Sequence, residues 1–305
     1  QLPANYKQVY TAQRVAKNQK LARTLASLGF KQVAGEIFAH PTQYIETDFN
    51  ATKTWIEYIN RLLGAVIGIF VFITAVVALP YWSRDRTVFW LAVGGWLLTG
   101  VQGWLGSLVV STNLLPIMVT IHMGLALLIV AMLLYAADRA QGNQETMGQT
   151  IASENITSTQ VLLWLTLLVT FGQIVLGTQV REQVDQIASM AGYMGRDSWV
   201  SQLGNVFKVH RSLSVLVMLL NGYVVYQLWP AAGARLRRLL QAALGLLALE
   251  IVVGITLAYL AIPAAMQPVH LTVATLLFGA QFLTLIAFNR TVIAGRQVQP
   301  QPAHA

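Results

Sequence analysis

Long apolar runs alternate with short polar joints along this chain. Seven runs are close to uniformly apolar: 58–80, 88–110, 116–137, 160–180, 206–229, 236–262 and 266–290. A helix needs ~20 mostly apolar residues to cross a bilayer, whereas a barrel strand is shorter and alternates in polarity. The pattern therefore predicts an all-α integral membrane protein with seven transmembrane helices. Ahead of the first run, TAQRVAKNQKLARTLASLGFKQVAGEIF reads as amphipathic helix and is expected to lie on a membrane surface.

A repeat runs beneath these elements. VQGWLGSLVV (101–110) matches ALEIVVGITL (248–257), which sets Gln102 over Glu250 and Gly106 over Gly254 at an offset of 148. A histidine follows each glycine by sixteen residues, His122 and His270. INRLLGAV (59–66) matches VHRSLSVL (209–216) at an offset of 150, which sets Asn60 over His210 and Arg61 over Arg211. A further Gln-x-x-x-Gly, Gln173 to Gly177, opens the second unit. By symmetry a similar helix is expected upstream of residue 1. The expected architecture is two pseudo-symmetric four-helix bundles, the first lacking its first helix. Its divisions are an external amphipathic segment (1–57), an N-terminal half-bundle (58–137), a cytoplasmic linker (138–159), a C-terminal bundle (160–290) and a cytoplasmic tail (291–305).

Composition agrees with membrane residence. The 305 residues are 55% hydrophobic and 10% charged, against about 25% charged in a soluble domain. There is no cysteine, which excludes disulfides, thiolate metal sites and cysteine nucleophiles. The net charge of +8 does not point to nucleic acid, because the arginines collect in particular joints. Arg84, Arg86, Arg139, Arg235, Arg237, Arg238, Arg290 and Arg296 lie at alternate span ends. Joints 111–115 and 263–265 have no Lys or Arg, and 181–205 holds only Arg181 and Arg196. The positive-inside rule then places residues 1–57 outside and the C-terminus in the cytoplasm of a cell (inner or plasma) membrane. Glycine patterns around Gly64 and Gly68, and around Gly100, Gly103 and Gly106, read as helix-packing seams.

Candidate chemistry centres on histidine. His122, His210 and His270 lie inside spans at one expected depth, ~4–7 residues from the external helix ends at ~1.5 Å per residue. A single such histidine is explained by a hydrogen bond to a neighbouring carbonyl; three at repeat-related positions argue for ligation. His210 and His270, from the second and fourth helices of one bundle, suit a haem iron with two axial ligands. Zinc usually wants four ligands. The other unit carries Asn60 at the ligand position and Glu57 where the second unit has Phe207. Glu57 and Asn60 share a helical face. That asymmetry separates a substrate pocket from an electron-relay pocket. Arg61 and Arg211 each follow a ligand position. Pairing with haem propionates and snorkelling to headgroups remain equal alternatives for them.

The run E-Y-I-N-R (57–61), the three span histidines, V-V-S-T-N-L-L-P (109–116) and G-T-Q-V-R-E (177–182) resemble the haem A synthase family over nearly the whole chain to about residue 290. The resemblance implies eight helices in two halves. It implies oxidation of the C8 methyl of haem O to a formyl group by successive hydroxylations, with oxygen from water, to supply haem A to terminal oxidases. It further implies a haem b cofactor on His210 and His270, substrate haem O on Asn60 and His122, and a catalytic role for Glu57. Haem O synthase, an electron acceptor and the lipid bilayer are the implied partners, with a homo-oligomer left open and no nucleic acid. Asn60 stands where many members have histidine, so the substrate iron is expected to rely on His122. Many bacterial members carry external cysteine pairs, and 181–205 has none. One alternative function is a di-haem membrane electron carrier of the quinol-linked cytochrome b type. It expects symmetrical bis-imidazole sites, which Asn60 opposes. Another is a transporter with repeat halves; it expects broken helices and midplane charges, of which the spans contain almost none, Glu250 being the main exception.

Overall fold

A computed structural model describes residues 5–27, 29–39, 51–111, 116–142 and 156–298. Part of the 109–116 motif, much of the expected linker and the end of the tail lie outside the described residues. The helices are α1 (Tyr6–Ser27), α2 (Lys31–Ala39), α3 (Ala51–Val77), α4 (Tyr81–Arg84), α5 (Arg86–Ser111) and α6 (Pro116–Gln141), followed by α7 (Ile156–Met190), α8 (Trp199–Gln202), α9 (Asn205–Leu228), α10 (Ala234–Tyr259) and α11 (Met266–Val298). No strand occurs among the described residues. Seven helices, α3, α5, α6, α7, α9, α10 and α11, are long and apolar enough to cross a membrane. The all-α membrane architecture expected from the runs is therefore the one observed.

The chain divides into two compact units. One comprises Gln1–Thr74 and Trp96–His122. In it α1 and α2 form a hairpin turning at Gly29, whose φ of 93° is a left-handed value that suits glycine. Ala22, Leu25 and Ala34 of this hairpin bury against Val109 and Met118, so an apolar face pins it to the ends of α5 and α6. The helix α3 starts at Ala51, seven residues earlier than the expected span, because ATKTWIEY contains no breaker. Glu57, Asn60 and Arg61 thus sit within the helix. Phe72 and Trp96 bring α3 and α5 together with ring centroids 5.4 Å apart. The glycines expected to form packing seams here do not: a Cβ on Gly64, Gly68, Gly100 or Gly103 would meet nothing within 4 Å. Gly64, Gly68 and Gly100 line an open groove instead.

The other unit comprises Ala75–Gly95 and Met123–Ala305. Its apolar core draws on α6, α7, α9, α10 and α11 through Leu127, Leu163, Leu228, Leu240 and Phe288. Here glycines do mediate packing, since a Cβ on Gly94 or Gly95 would come within 3.1 Å of Met132 or 3.0 Å of Leu133. Polar pairs cross the interior. Gln281 donates to Thr170 at 3.0 Å and to Asn221 at 3.1 Å, Gln160 to Asn289 at 2.9 Å, and Gln227 to Thr159 at 3.0 Å. Hydrogen bonds of this kind hold helices together where lipid removes the hydrophobic drive.

The expected loop 181–205 is largely helical. α7 runs 35 residues, about 50 Å at 1.5 Å per residue, well beyond a ~30 Å hydrocarbon core. Past residue 180 its polar side is tied by Arg181 to Asp185 at 3.0 Å and Gln186 to Glu182 at 2.9 Å. Its other side buries Val184 and Ala188 against Trp199, Leu203 and Ile262. The i, i+4 polar pairs that stabilise this stretch lower its hydropathy and disguise it as a loop.

Two acidic residues organise one end of this unit. Asp85 caps α5, accepting from the Thr87 amide at 3.0 Å, and also accepts from Arg139 Nε at 2.5 Å. The Arg139 guanidinium holds the Asp85 carboxyl below its usual range. Near the end of α6, the Asp138 side chain is only 1% exposed and lies between Arg235 of α10 and Arg290 of α11, whose Nη2 is 2.6 Å away. Arginines expected merely to mark a membrane face are thus partners of acids. Removing Asp138 takes a shared anion from two half-buried cations. Asp138→Ala is expected to cost about 3–5 kcal/mol, read as a lowered midpoint of thermal unfolding in detergent, whereas Arg238→Ala on the exposed face of α10 should move it little. The depressed Asp85 carboxyl stabilises the fold above its ordinary value of 3.8. That contribution is lost as pH falls through the lower folded value. Asp85→Asn should therefore be less stable than wild type at pH 7, with the difference closing in the acid range.

Candidate functional site

Three antiparallel helix pairs repeat one arrangement. Residues four apart stand on one helical face, about 6 Å apart along the axis, and each pair uses such a couple. α5 presents Gln102 and Gly106 to His122 on α6, α7 presents Gln173 and Gly177 to His210 on α9, and α10 presents Glu250 and Gly254 to His270 on α11. A Cβ on these glycines would lie 3.5, 3.4 and 3.5 Å from Cε1 of His122, His210 and His270 respectively. Gly106 is therefore the floor of a histidine site and not simply a packing seam. Gln102 Nε2 donates to the backbone carbonyl of His122 at 2.9 Å, and Gln173 Nε2 to that of His210 at 2.9 Å. Glu250 has no N–H to give; its Oε1 lies 3.0 Å from His270 Nδ1.

The polar atoms left over are as regular as the contacts. His122, His210 and His270 each have a buried Nδ1 with no hydrogen-bond partner, and so do Gln102 Oε1, Gln173 Oε1 and Glu250 Oε2. For His270, Glu250 Oε1 lies 3.0 Å from Nδ1, within hydrogen-bonding distance when that nitrogen carries the proton. Buried polar atoms without partners are costly, and three matched sets of them mark positions held for a purpose other than packing.

His210 and His270 face each other with ring centroids 6.4 Å apart and planes at 75°. Two imidazoles binding one metal from opposite sides, each at a metal–nitrogen distance of about 2 Å, have ring centres roughly 6 Å apart. Among the described residues no group of three or more His, Cys, Asp or Glu could hold a metal ion. The donor set is thus two imidazoles and fits the axial positions of a haem better than a tetrahedral ion.

The first unit differs. Glu57 pairs with Arg61 on its own helix, and both are substantially exposed, with side chains 46% and 66% accessible. Asn60 is exposed on the same helix. Among the described residues the structure gives neither Glu57 nor Asn60 a hydrogen bond or ion pair with His122. In the second unit Phe207 stands at the repeat position of Glu57, and Arg211 lies over its ring at 5.9 Å. The arginine keeps its place and exchanges a carboxylate partner for an aromatic face. Sequence reasoning aligned Gln102, Gln173 and Glu250 without assigning them a task. The signal that finds it is their constant four-residue spacing to a glycine.

Fold and site together define an all-helical, multi-pass integral membrane protein with repeated, glycine-floored histidine sites. The model of the cytochrome oxidase assembly protein family matches residues 30–282, and the chain belongs to that family. No significant match was found among curated proteins or among solved structures.

The glycine floor makes a prediction. At 3.4 Å a methyl on Gly177 is just accommodated, while a longer side chain must displace the His210 ring. Gly177→Ala is expected to keep an unfolding midpoint near that of the wild type, and Gly177→Leu to destabilise the fold by about 1–3 kcal/mol through overpacking. The unfolding midpoint in detergent reads the difference.

Proposed function

We propose that the chain is a haem A synthase that oxidises the C8 methyl of haem O to a formyl group by two successive hydroxylations. The observation that carries this reading is the contrast between the units, a facing imidazole pair in one and, in the other, His122 with Asn60 and Glu57 at the repeat positions of His210 and Phe207. Family membership supports it, since haem A is made for terminal oxidases. His210 and His270 would hold haem b, which supplies a one-electron relay between substrate and an external acceptor. His122 would hold the iron of haem O, with Asn60 a weak or hydrogen-bonding neighbour. A substrate must enter and leave, and one strong ligand permits that exchange better than two.

Conversion of methyl to formyl takes up one water and releases four electrons and four protons. The electrons leave through the second unit, so the substrate side needs a base for the protons. Glu57 is the carboxylate available on the Asn60 face, and its role is that of a general base or an electrostatic stabiliser. Arg61, paired with it, sets the direction of the carboxylate. Arg61 and Arg211 are candidates for the propionates, and Arg211 has no carboxylate within its own helix to compete. Residues 1–57 would be external and the C-terminus cytoplasmic in the plasma membrane. Haem O synthase and an electron acceptor would be the partners.

The test is expression of the complete gene with haem O synthase, followed by extraction of the haems. Glu57→Ala should accumulate haem O or its alcohol while keeping the low-spin haem of the second unit. His210→Leu or His270→Leu should lose that low-spin signal. Haem A formed at the wild-type rate by Glu57→Ala would overturn the role of Glu57, and an unchanged bis-imidazole spectrum in either histidine variant would overturn the ligand assignment.

A further inference from the structure

We infer that Glu250 is a positioning residue for His270 that makes the two axial ligands of the second unit electronically unequal. The inference rests on His210 and His270 being ligands of one haem. Glu250 occupies the place that Gln102 and Gln173 hold in the other two copies of the motif. A glutamine there spends its N–H on the backbone carbonyl of the histidine and brings no charge to the ring. A carboxylate cannot make that bond. Its Oε1 instead comes to 3.0 Å of the imidazole Nδ1, with the Glu250 side chain only 17% exposed.

The cost of this substitution argues that it does something. Glu250 is the one acidic residue in the 26-residue α10, and an acid within a span is expensive unless paired or used. For α10 packing, glutamine would serve, as it does for α5 and α7. What the carboxylate adds is an anionic acceptor at Nδ1. Such an acceptor fixes the tautomer so that Nε2 is the ligating nitrogen, and makes that nitrogen a stronger donor to iron. His210 has no anionic equivalent, because Gln173 gives its Nε2 to the backbone carbonyl and its remaining Oε1 is neutral. A stronger donor favours the ferric over the ferrous form. Glu250 therefore lowers the reduction potential of this haem and favours passage of electrons onward from it.

The experiment is a redox titration of the purified holoprotein, followed by visible absorbance, with ferric electron-paramagnetic-resonance spectra alongside. Glu250→Gln restores the residue of the other two copies. It should keep a low-spin bis-imidazole spectrum and shift the midpoint potential upward. The reciprocal Gln173→Glu places a carboxylate beside His210 and should shift it downward. A Glu250→Gln protein with full haem content, unaltered potential and unaltered ferric spectrum overturns the inference while leaving the ligand assignment intact. Should Glu250→Gln lose haem, Glu250→Asp and Gln173→Glu decide, and wild-type potentials in both overturn it. Absence of low-spin haem from the wild-type protein would instead overturn the ligand reading beneath it.

Discussion

A buried imidazole has two nitrogens, and an apolar helix pair satisfies neither. One can go to a ligand; the other must meet a group from the protein or remain a cost. The structure depends on how that constraint is met. In all three copies the neighbouring helix brings a glycine against the ring edge and, one turn away, a side chain with an oxygen. The glycine lets two backbones approach closely enough for the ring to lie between them. The polar residue four positions earlier ties the paired helices together, through the histidine backbone in two cases and beside its ring in the third. Helix spacing, ring placement and ligand geometry are therefore one contact viewed three ways.

The same contact explains how duplicated units can diverge. Six of the eight positions differ between INRLLGAV and VHRSLSVL, and the arginine is one of the two that are kept. Asn60 stands where the second unit has the imidazole of His210, and Glu57 supplies a carboxylate where it has Phe207. Arg61 and Arg211 show that the backbone frame is kept, since each contacts the residue four before it, an acid in one unit and a ring in the other. Substitutions on one turn of helix thus change the chemistry of a unit while its frame is kept.

Hydropathy made the spans legible, because twenty apolar residues have few other uses. It failed where polarity and helicity coincide. The extension of α7 beyond residue 180 carries Arg181, Glu182, Asp185 and Gln186, and only its buried face against Trp199 and Ile262 reveals it as structure. The early start of α3 escaped for the same reason. Three of the site histidines were visible through the repeat, as were the glycines and their glutamine or glutamate neighbours. What these neighbours bond was not, since a backbone carbonyl has no sequence signature. Asp138 was invisible as a partner because Arg235 and Arg290, the residues that enclose it, are distant in sequence and had another sufficient explanation in the positive-inside rule.

The Asp138 cluster and the imidazoles of the second unit lie toward opposite ends of α10 and α11. Arg235 precedes Glu250 by fifteen residues on α10, and Arg290 follows His270 by twenty on α11, which is about 22 and 30 Å of helix. At one end a buried carboxylate between two guanidiniums fixes α6, α10 and α11 by charges that are costly to separate. At the other, the contacts are a methyl-sized gap over glycine and polar atoms without partners. The interval is crossed by side-chain amides and hydroxyls, Gln281 with Thr170 and Asn221, which are fully neutral. The buried Asp138 pairs are too far along the helices to act strongly on His270, and the charge directly beside that ring is Glu250.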